Sequence, residues 1–102
     1  MHTPYIQLPR RVEWDPAKAR ANARRHGVDF ADAAIALEDE HALTVEDWDH
    51  DEVRFRTLAM APTMEVQLVV FTMTRADTIR IISARRANRA ERADYVEGLG
   101  HG

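Results

Sequence analysis

Apolar and polar positions alternate with two different periods along the chain, helical first and then strand-like. Trp14 precedes Asp15-Pro16, a capping carboxylate followed by proline at the first helical position, which starts a helix that runs to about His26. Gly27 ends it in the left-handed conformation, and Val28 supplies the apolar contact that follows such a cap. Along that helix Trp14, Ala17 and Ala21 form a core-facing stripe, and Lys18, Asn22 and His26 lie on a neighbouring one. Asp29 caps a second helix from Phe30 to about Leu37, with Phe30, Ala33, Ala34 and Leu37 on one face.

Strand periods follow. Ala42–Trp48 and Val53–Met60 alternate; Met64–Thr74 is apolar on both faces, as a central strand is; Arg75-Ala76-Asp77 turns into a strand over Thr78–Ala84. In that last strand Ile79, Ile81, Ser83 and Arg85 are expected on one face, with Arg80, Ile82, Ala84 and Arg86 on the other. Asn88 and Glu91 form a capping signal for a final helix reaching about Val96, after which Gly98, Gly100 and Gly102 predict a mobile tail. The fold expected is α+β: two N-terminal helices, a four-stranded mainly antiparallel sheet and a C-terminal helix. It occupies residues 12–97, preceded by an extension over 1–11 with Pro4 and Pro9 and followed by the tail over 98–102.

Composition narrows the class. The 102 residues are one domain's worth, and 45% are hydrophobic, enough for a small core. Without cysteine, disulfides, thiolate metal sites and cysteine nucleophiles are excluded, and a reducing compartment fits. The longest apolar stretch, Val66 to Met73, is far below the ~20 residues of a spanning helix. The N-terminus lacks the basic head and apolar run of a signal peptide. These features predict a cytoplasmic protein with no membrane association.

The net charge of −3 conceals a division. Glu38 to Glu52 carries eight acids and no lysine or arginine, which leaves +5 on the rest. Six arginines (Arg75, Arg80, Arg85, Arg86, Arg89 and Arg92) fall within eighteen residues. A local basic patch attracts a polyanion whatever the overall sign. The acidic segment is expected at the rim of such a patch or away from it, as solvated surface or as a dock for a basic partner.

Glycine-rich phosphate loops, GxSxG and HExxH are all absent. Asp47-Trp48-Asp49-His50-Asp51 begins like a calcium loop but has Glu52 where the glycine belongs and Leu58 where the final glutamate belongs. The five histidines have no paired ligand spacing, so neither a metal nor another cofactor is expected. His26, at a helix end, is a candidate proton donor or acceptor as well as a favourable charge for the helix dipole. Arg54 and Arg56 share one strand face, and with the arginines of the last strand they fit a shallow basic groove. Tyr95 either stacks on a base or packs the last helix down.

Together, Val12-Glu13-Trp14-Asp15-Pro16-Ala17-Lys18, Asn22, Arg25-His26-Gly27-Val28-Asp29-Phe30, Arg80-Ile81-Ile82-Ser83-Ala84-Arg85-Arg86-Ala87, Glu91-Arg92 and Tyr95 resemble the BrnT toxin family of type II toxin–antitoxin modules. That family is a relative of the RelE-like ribonucleases. The resemblance spans about residues 12 to 97, with Arg25 where the family often has lysine and Asp51 in place of a usual glycine. It implies a toxin that cleaves RNA to arrest growth until a BrnA-type antitoxin neutralises it. Operator DNA would be bound only through the antitoxin, in a hetero-oligomeric complex.

The residues fit metal-independent cleavage by the ribose 2′-hydroxyl. Arg85, with Arg54 or Arg80, is expected at the phosphate oxygens, and His26 or Glu52 as general base or acid. Lys18 and Arg86 are expected to bind RNA, and Tyr95 or Trp14 to stack on a base. Two other classes remain open: a non-catalytic nucleic-acid-binding module and a protein-interaction module built on the acidic stretch. The helix pair around His26-Gly27-Val28 resembles a helix-turn-helix, but Phe30 to Leu37 has no Arg, Lys, Asn or Gln to read base edges.

Overall fold

The computed structural model describes residues 11–48, 51–75 and 77–100. The proposed N-terminal extension up to residue 10, the turn residue Ala76, the Asp49-His50 pair and the last two tail residues lie outside them.

Eight elements follow one another: β1 (Arg11–Glu13), α1 (Pro16–His26), α2 (Phe30–Ala36), β2 (Leu43–Asp47), β3 (Arg54–Met60), β4 (Val66–Arg75), β5 (Thr78–Arg86) and α3 (Arg89–Gly100). The strands form one sheet in the order β1-β5-β4-β3-β2. From β2 to β5 it is the expected antiparallel meander, but the sheet has five strands and is mixed, because β1 runs parallel to β5. β1 is three residues long, too short to show a period, and its partner lies far along the chain.

Local chemistry explains the helix ends. The Asp15 carboxylate accepts a hydrogen bond from the Ala17 N–H at 2.9 Å, and Gly27 sits at φ 68°, where its N–H reaches the Ala23 carbonyl. Asp29 has the extended backbone of a cap, although its side chain makes no capping bond. At the other end α3 continues through Gly98 to Gly100, where the glycines predicted a tail. Gly98 packs closely there: a Cβ would stand 3.3 Å from the Leu43 methyls, which would have to give by a few tenths of an ångström.

α1 and α2 cover one face of the sheet. Phe30, Ala33, Val69, Phe71, Ile79, Ile81 and Ala84 form the main core, with Trp14 set edge-on against Phe30 at 6.0 Å. Full burial of a phenylalanine stabilises by roughly 2–3 kcal/mol, so Phe30 and Phe71 are principal contributors. α3 crosses the opposite face, where Tyr95 packs with Val66, Ala87 and the partly buried Leu58 and Met60.

The inward stripe of α1 is not the predicted one. Ala17 and Ala21 are exposed, whereas Ala19 packs against the core and Asn22 is buried. Asn22 takes the place of a missing strand. β1 pairs with β5 only as far as Arg80, so β5 beyond that point has a bare edge. The Asn22 side chain donates to the Ala84 carbonyl at 2.8 Å and accepts from the Ala84 N–H at 3.1 Å, and it also donates to the Val28 carbonyl at 3.0 Å. The polar residue is inward because an unpaired buried backbone group is costly.

A bulge sets the last strand's faces. Val70 pairs with Ser83 and Phe71 with Ile81, so Ile82 is the extra residue. The predicted alternation slips there: Ala84 joins Ile79 and Ile81 in the core, and Ser83 and Arg85 are turned to the opposite face.

Candidate active site

The face under α3 is only half covered. Cross-strand register places Leu43, Leu58, Leu68 and Arg85 in one row, and Val45, Arg56, Val70 and Ser83 in the next. α3 lies over the end of the sheet nearest Leu58 and Val66, which leaves an open groove beside it. This cavity, of about 310 Å³, has Leu68, Val70 and Ile82 as its floor and Arg54, Arg56, Ser83 and Arg85 around them. His26 and Asp47 complete the wall. His26 reaches it because α1 ends over the edge of β5, where the Arg86 Nη1 donates to the His26 carbonyl at 3.2 Å.

Arg85 is the most constrained of the three groove arginines. Its Nη1 donates to Glu91 Oε1 at 2.9 Å and its Nη2 to Glu91 Oε2 at 3.0 Å. Glu91 is fixed in turn by a capping box: the Asn88 N–H donates to Glu91 Oε1, and the Glu91 N–H donates to Asn88 Oδ1, both at 2.8 Å. The Arg85 hydrogen bonds hold the Glu91 carboxyl below its ordinary range; burial opposes them, and the Asn88 N–H and the charges of Arg85 and Arg56 assist. Glu91 likewise holds Arg85 more firmly in its charged form. Arg54 stands beside Asp47 in the register, and its Nε is buried with no hydrogen-bond partner among the described residues.

The structure therefore brings together His26, Arg54 and Arg85, and beside them Arg56, which the sequence pattern had placed with Arg54 in a basic groove. Others lie elsewhere. Arg80 is paired with Glu13 at 2.9 Å near the β1 end, outside the groove lining. Glu52 lines a separate depression with Trp48 and Phe55. Lys18 is exposed on the outer side of α1 and does not line the groove. Arg86 sits on the α1 side, bonded to Glu65 at 2.9 Å as well as to α1's end.

Neither proposed stacking residue faces the groove. Tyr95 is 3% exposed, and its hydroxyl donates to Asp39 Oδ2 at 2.5 Å; packing is its role here. Trp14 packs against Phe30 on the far face. The acidic segment is also not wholly peripheral, since Asp47 lines the groove. Glu91 was recognisable from sequence only as a helix cap, and its grip on Arg85 depends on β5 and α3 meeting at a corner.

A sheet face with three guanidinium groups around an apolar floor concentrates positive charge, the chemistry that attracts a polyanion. Comparison with known proteins specifies the family. Residues 14–91 match the family model described as "Ribonuclease toxin, BrnT, of type II toxin-antitoxin system", and the chain belongs to that family. Its fold is shared with the crystal structure of the Brucella abortus ribonuclease toxin BrnT, at 22% identity and a TM-score of 0.60, over 78% of this chain and 99% of that one. No curated protein sequence matches.

Proposed function

We propose that this ribonuclease toxin cleaves RNA at the arginine groove by metal-independent acid–base chemistry. The observation that carries the reading is the convergence of Arg54, Arg56 and Arg85 on one cavity with His26 in its wall. The ribose 2′-hydroxyl gives up its proton and attacks the adjacent phosphorus. The bond to the 5′-oxygen breaks, and that oxygen leaves with a proton. The products are a 2′,3′-cyclic phosphate and a 5′-hydroxyl. The groove arginines stabilise charge on the non-bridging oxygens, and they remain protonated throughout, so they are not the base. His26, whose imidazole can both donate and accept a proton, is the groove residue proposed for proton transfer. Glu52 is the weaker candidate because it lines a different depression.

A BrnA-type antitoxin is the proposed partner in the cytoplasm, with operator DNA bound only through the hetero-oligomeric complex. The exposed Glu38, Glu40, Glu46, Asp51 and Glu52 fit a basic antitoxin segment. Reversing Glu38, Glu40 and Glu46 to lysine should weaken antitoxin binding more than RNA cleavage; the opposite order would contradict this placement.

The test is cleavage of a defined RNA in excess EDTA, with the product ends mapped. Cyclic-phosphate and 5′-hydroxyl ends that persist in EDTA support the mechanism. Cleavage abolished by EDTA and restored by a divalent metal refutes it. RNA binding without cleavage, with or without ribosomes, favours a non-catalytic binding module.

A further inference from the structure

Arginine has five N–H donors, and the bonds of Arg85 divide them unevenly. Nη1 donates to Glu91 Oε1 and to the Arg86 carbonyl, at 2.9 and 3.2 Å, and Nη2 donates to Glu91 Oε2 at 3.0 Å. Three hydrogens are thereby occupied. The two that remain are the Nε–H and the second hydrogen on Nη2, and neither has a partner among the described residues. Those two point outward from the same edge of the planar group, which is the arrangement that accepts two oxygens of a phosphate side by side.

We infer that Glu91 is the positioning residue of the groove: it grips one edge of the Arg85 guanidinium so that the other edge is presented as a fork to two oxygens of a phosphodiester. This inference rests on the ribonuclease reading above. Glu91 suits the part because it is itself immobilised. Its carboxylate has 18% of its side-chain surface exposed, and Asn88 ties it to the first turn of α3. The helix start, the carboxylate and the guanidinium thus form one rigid chain ending at the groove. Held along only one edge, Arg85 is aimed and remains able to bind.

The opposite role for Glu91 would be an internal phosphate mimic that blocks Arg85. The hydrogen inventory argues against it, since a complete bidentate edge is left free. Lysine at position 85 would satisfy Glu91 but has no second edge to offer.

Glu91→Gln separates the two jobs of this residue. A glutamine oxygen still accepts from the Asn88 N–H and keeps the helix cap, but the amide cannot accept both guanidinium hydrogens. The experiment follows kcat and KM on a defined RNA for the wild type and Glu91→Gln, with thermal unfolding as the control for folding. In parallel, the Nε–H resonance of Arg85, identified by its loss in Arg85→Lys, is followed by NMR. The probe is a trinucleotide lacking its 2′-hydroxyls, which binds without being cut.

The expected result is a kcat/KM at least about tenfold lower in Glu91→Gln, a cooperative unfolding transition whose midpoint drops only by the loss of one part-buried ion pair, and an Arg85 shift on binding that is present in the wild type and lost in the variant. Cleavage by Glu91→Gln within twofold of wild type, or faster, overturns the inference, as does a wild-type Arg85 resonance that ignores the trinucleotide. A wild type that binds the probe through Arg85 yet cuts no RNA supports the fork and sinks the ribonuclease reading instead.

Discussion

Arg85 and Arg86 are neighbours on one strand, and they belong to different regions of the molecule. On the face covered by α1 and α2, several polar groups hold the fold, although the buried Gln67 Oε1 has no partner among the described residues. Arg86 is bonded to Glu65 and to the end of α1, Asn22 closes the bare edge of β5, and the buried Thr57 hydroxyl meets Thr44 at 2.9 Å. On the face half covered by α3, three arginines stand around an apolar floor, and Arg85 keeps one edge free. The difference shows how a small domain carries chemistry. One face carries the larger core, and the other, though pinned by Tyr95 and the Arg85–Glu91 pair, leaves guanidinium surface open in the groove.

The largest effect should come from emptying the open face. Arg54→Ala combined with Arg56→Ala should lower kcat/KM by about 100-fold or more and flatten the dependence of RNA affinity on salt, with a small change in the unfolding midpoint. Cleavage kinetics and a salt titration check this. Next is the covered face: Asn22→Leu leaves the Ala84 N–H, the Ala84 carbonyl and the Val28 carbonyl without their bonds, and should cost about 3 kcal/mol by urea unfolding. A loss under 1 kcal/mol would contradict the edge-closing role.

The dependence of stability on pH sharpens the comparison further. Burial raises the Asp39 carboxyl, but bonds from Tyr95 and the Met60 and His41 N–H groups outweigh it and leave it below its ordinary range. Glu91 is depressed as well. Both contributions are complete above the unfolded carboxylate range, about pH 4, and are lost as pH falls through the depressed folded values. Tyr95 behaves oppositely. Burial and its bond to Asp39 push it up to about 12, so its contribution is complete below its unfolded value and is lost as pH rises toward 12. Stability measured across pH should fall at both ends, and Tyr95→Phe should abolish the Tyr95 part of the alkaline fall.

The smallest effect lies in the β3–β4 hairpin. Met64 is held there at φ 70° and is 78% exposed, so Met64→Gly should stabilise by about 1 kcal/mol. Thermal unfolding should register it without any change in cleavage.

How much could be read in advance depended on whether the signal was local. Asp15-Pro16 and Gly27 mark both ends of α1 because caps are set by neighbouring residues. The strands from β2 to β5 show their period over five or more residues each. β1 does not, because three residues carry no period and its pairing with β5 is long-range. Asn22 looks like an outward polar residue until the bare strand edge is known. The Ile82 bulge is invisible to strict alternation and reverses the expected face of Arg85 relative to Ile81. At the site, His26, Arg54 and Arg85 were legible as candidates from residue type and position. Arg80 and Glu52 were equally plausible in sequence; pairing with β1 ties Arg80 to Glu13, and Glu52, ahead of β3, lines a different depression. The second role of Glu91 was hidden because a capping box explains it fully by itself.

The most direct test sets Arg85→Ala beside Arg86→Ala, measuring cleavage of a defined RNA and the unfolding free energy of each. The two-face account predicts a crossed outcome. Arg85→Ala should lose about 100-fold or more in kcat/KM while remaining folded, and Arg86→Ala should lose about 1 kcal/mol of stability while cutting RNA within a few fold of wild type. Equal losses of cleavage in the two variants, or full cleavage by Arg85→Ala, would contradict the assignment of the chemistry to the open face.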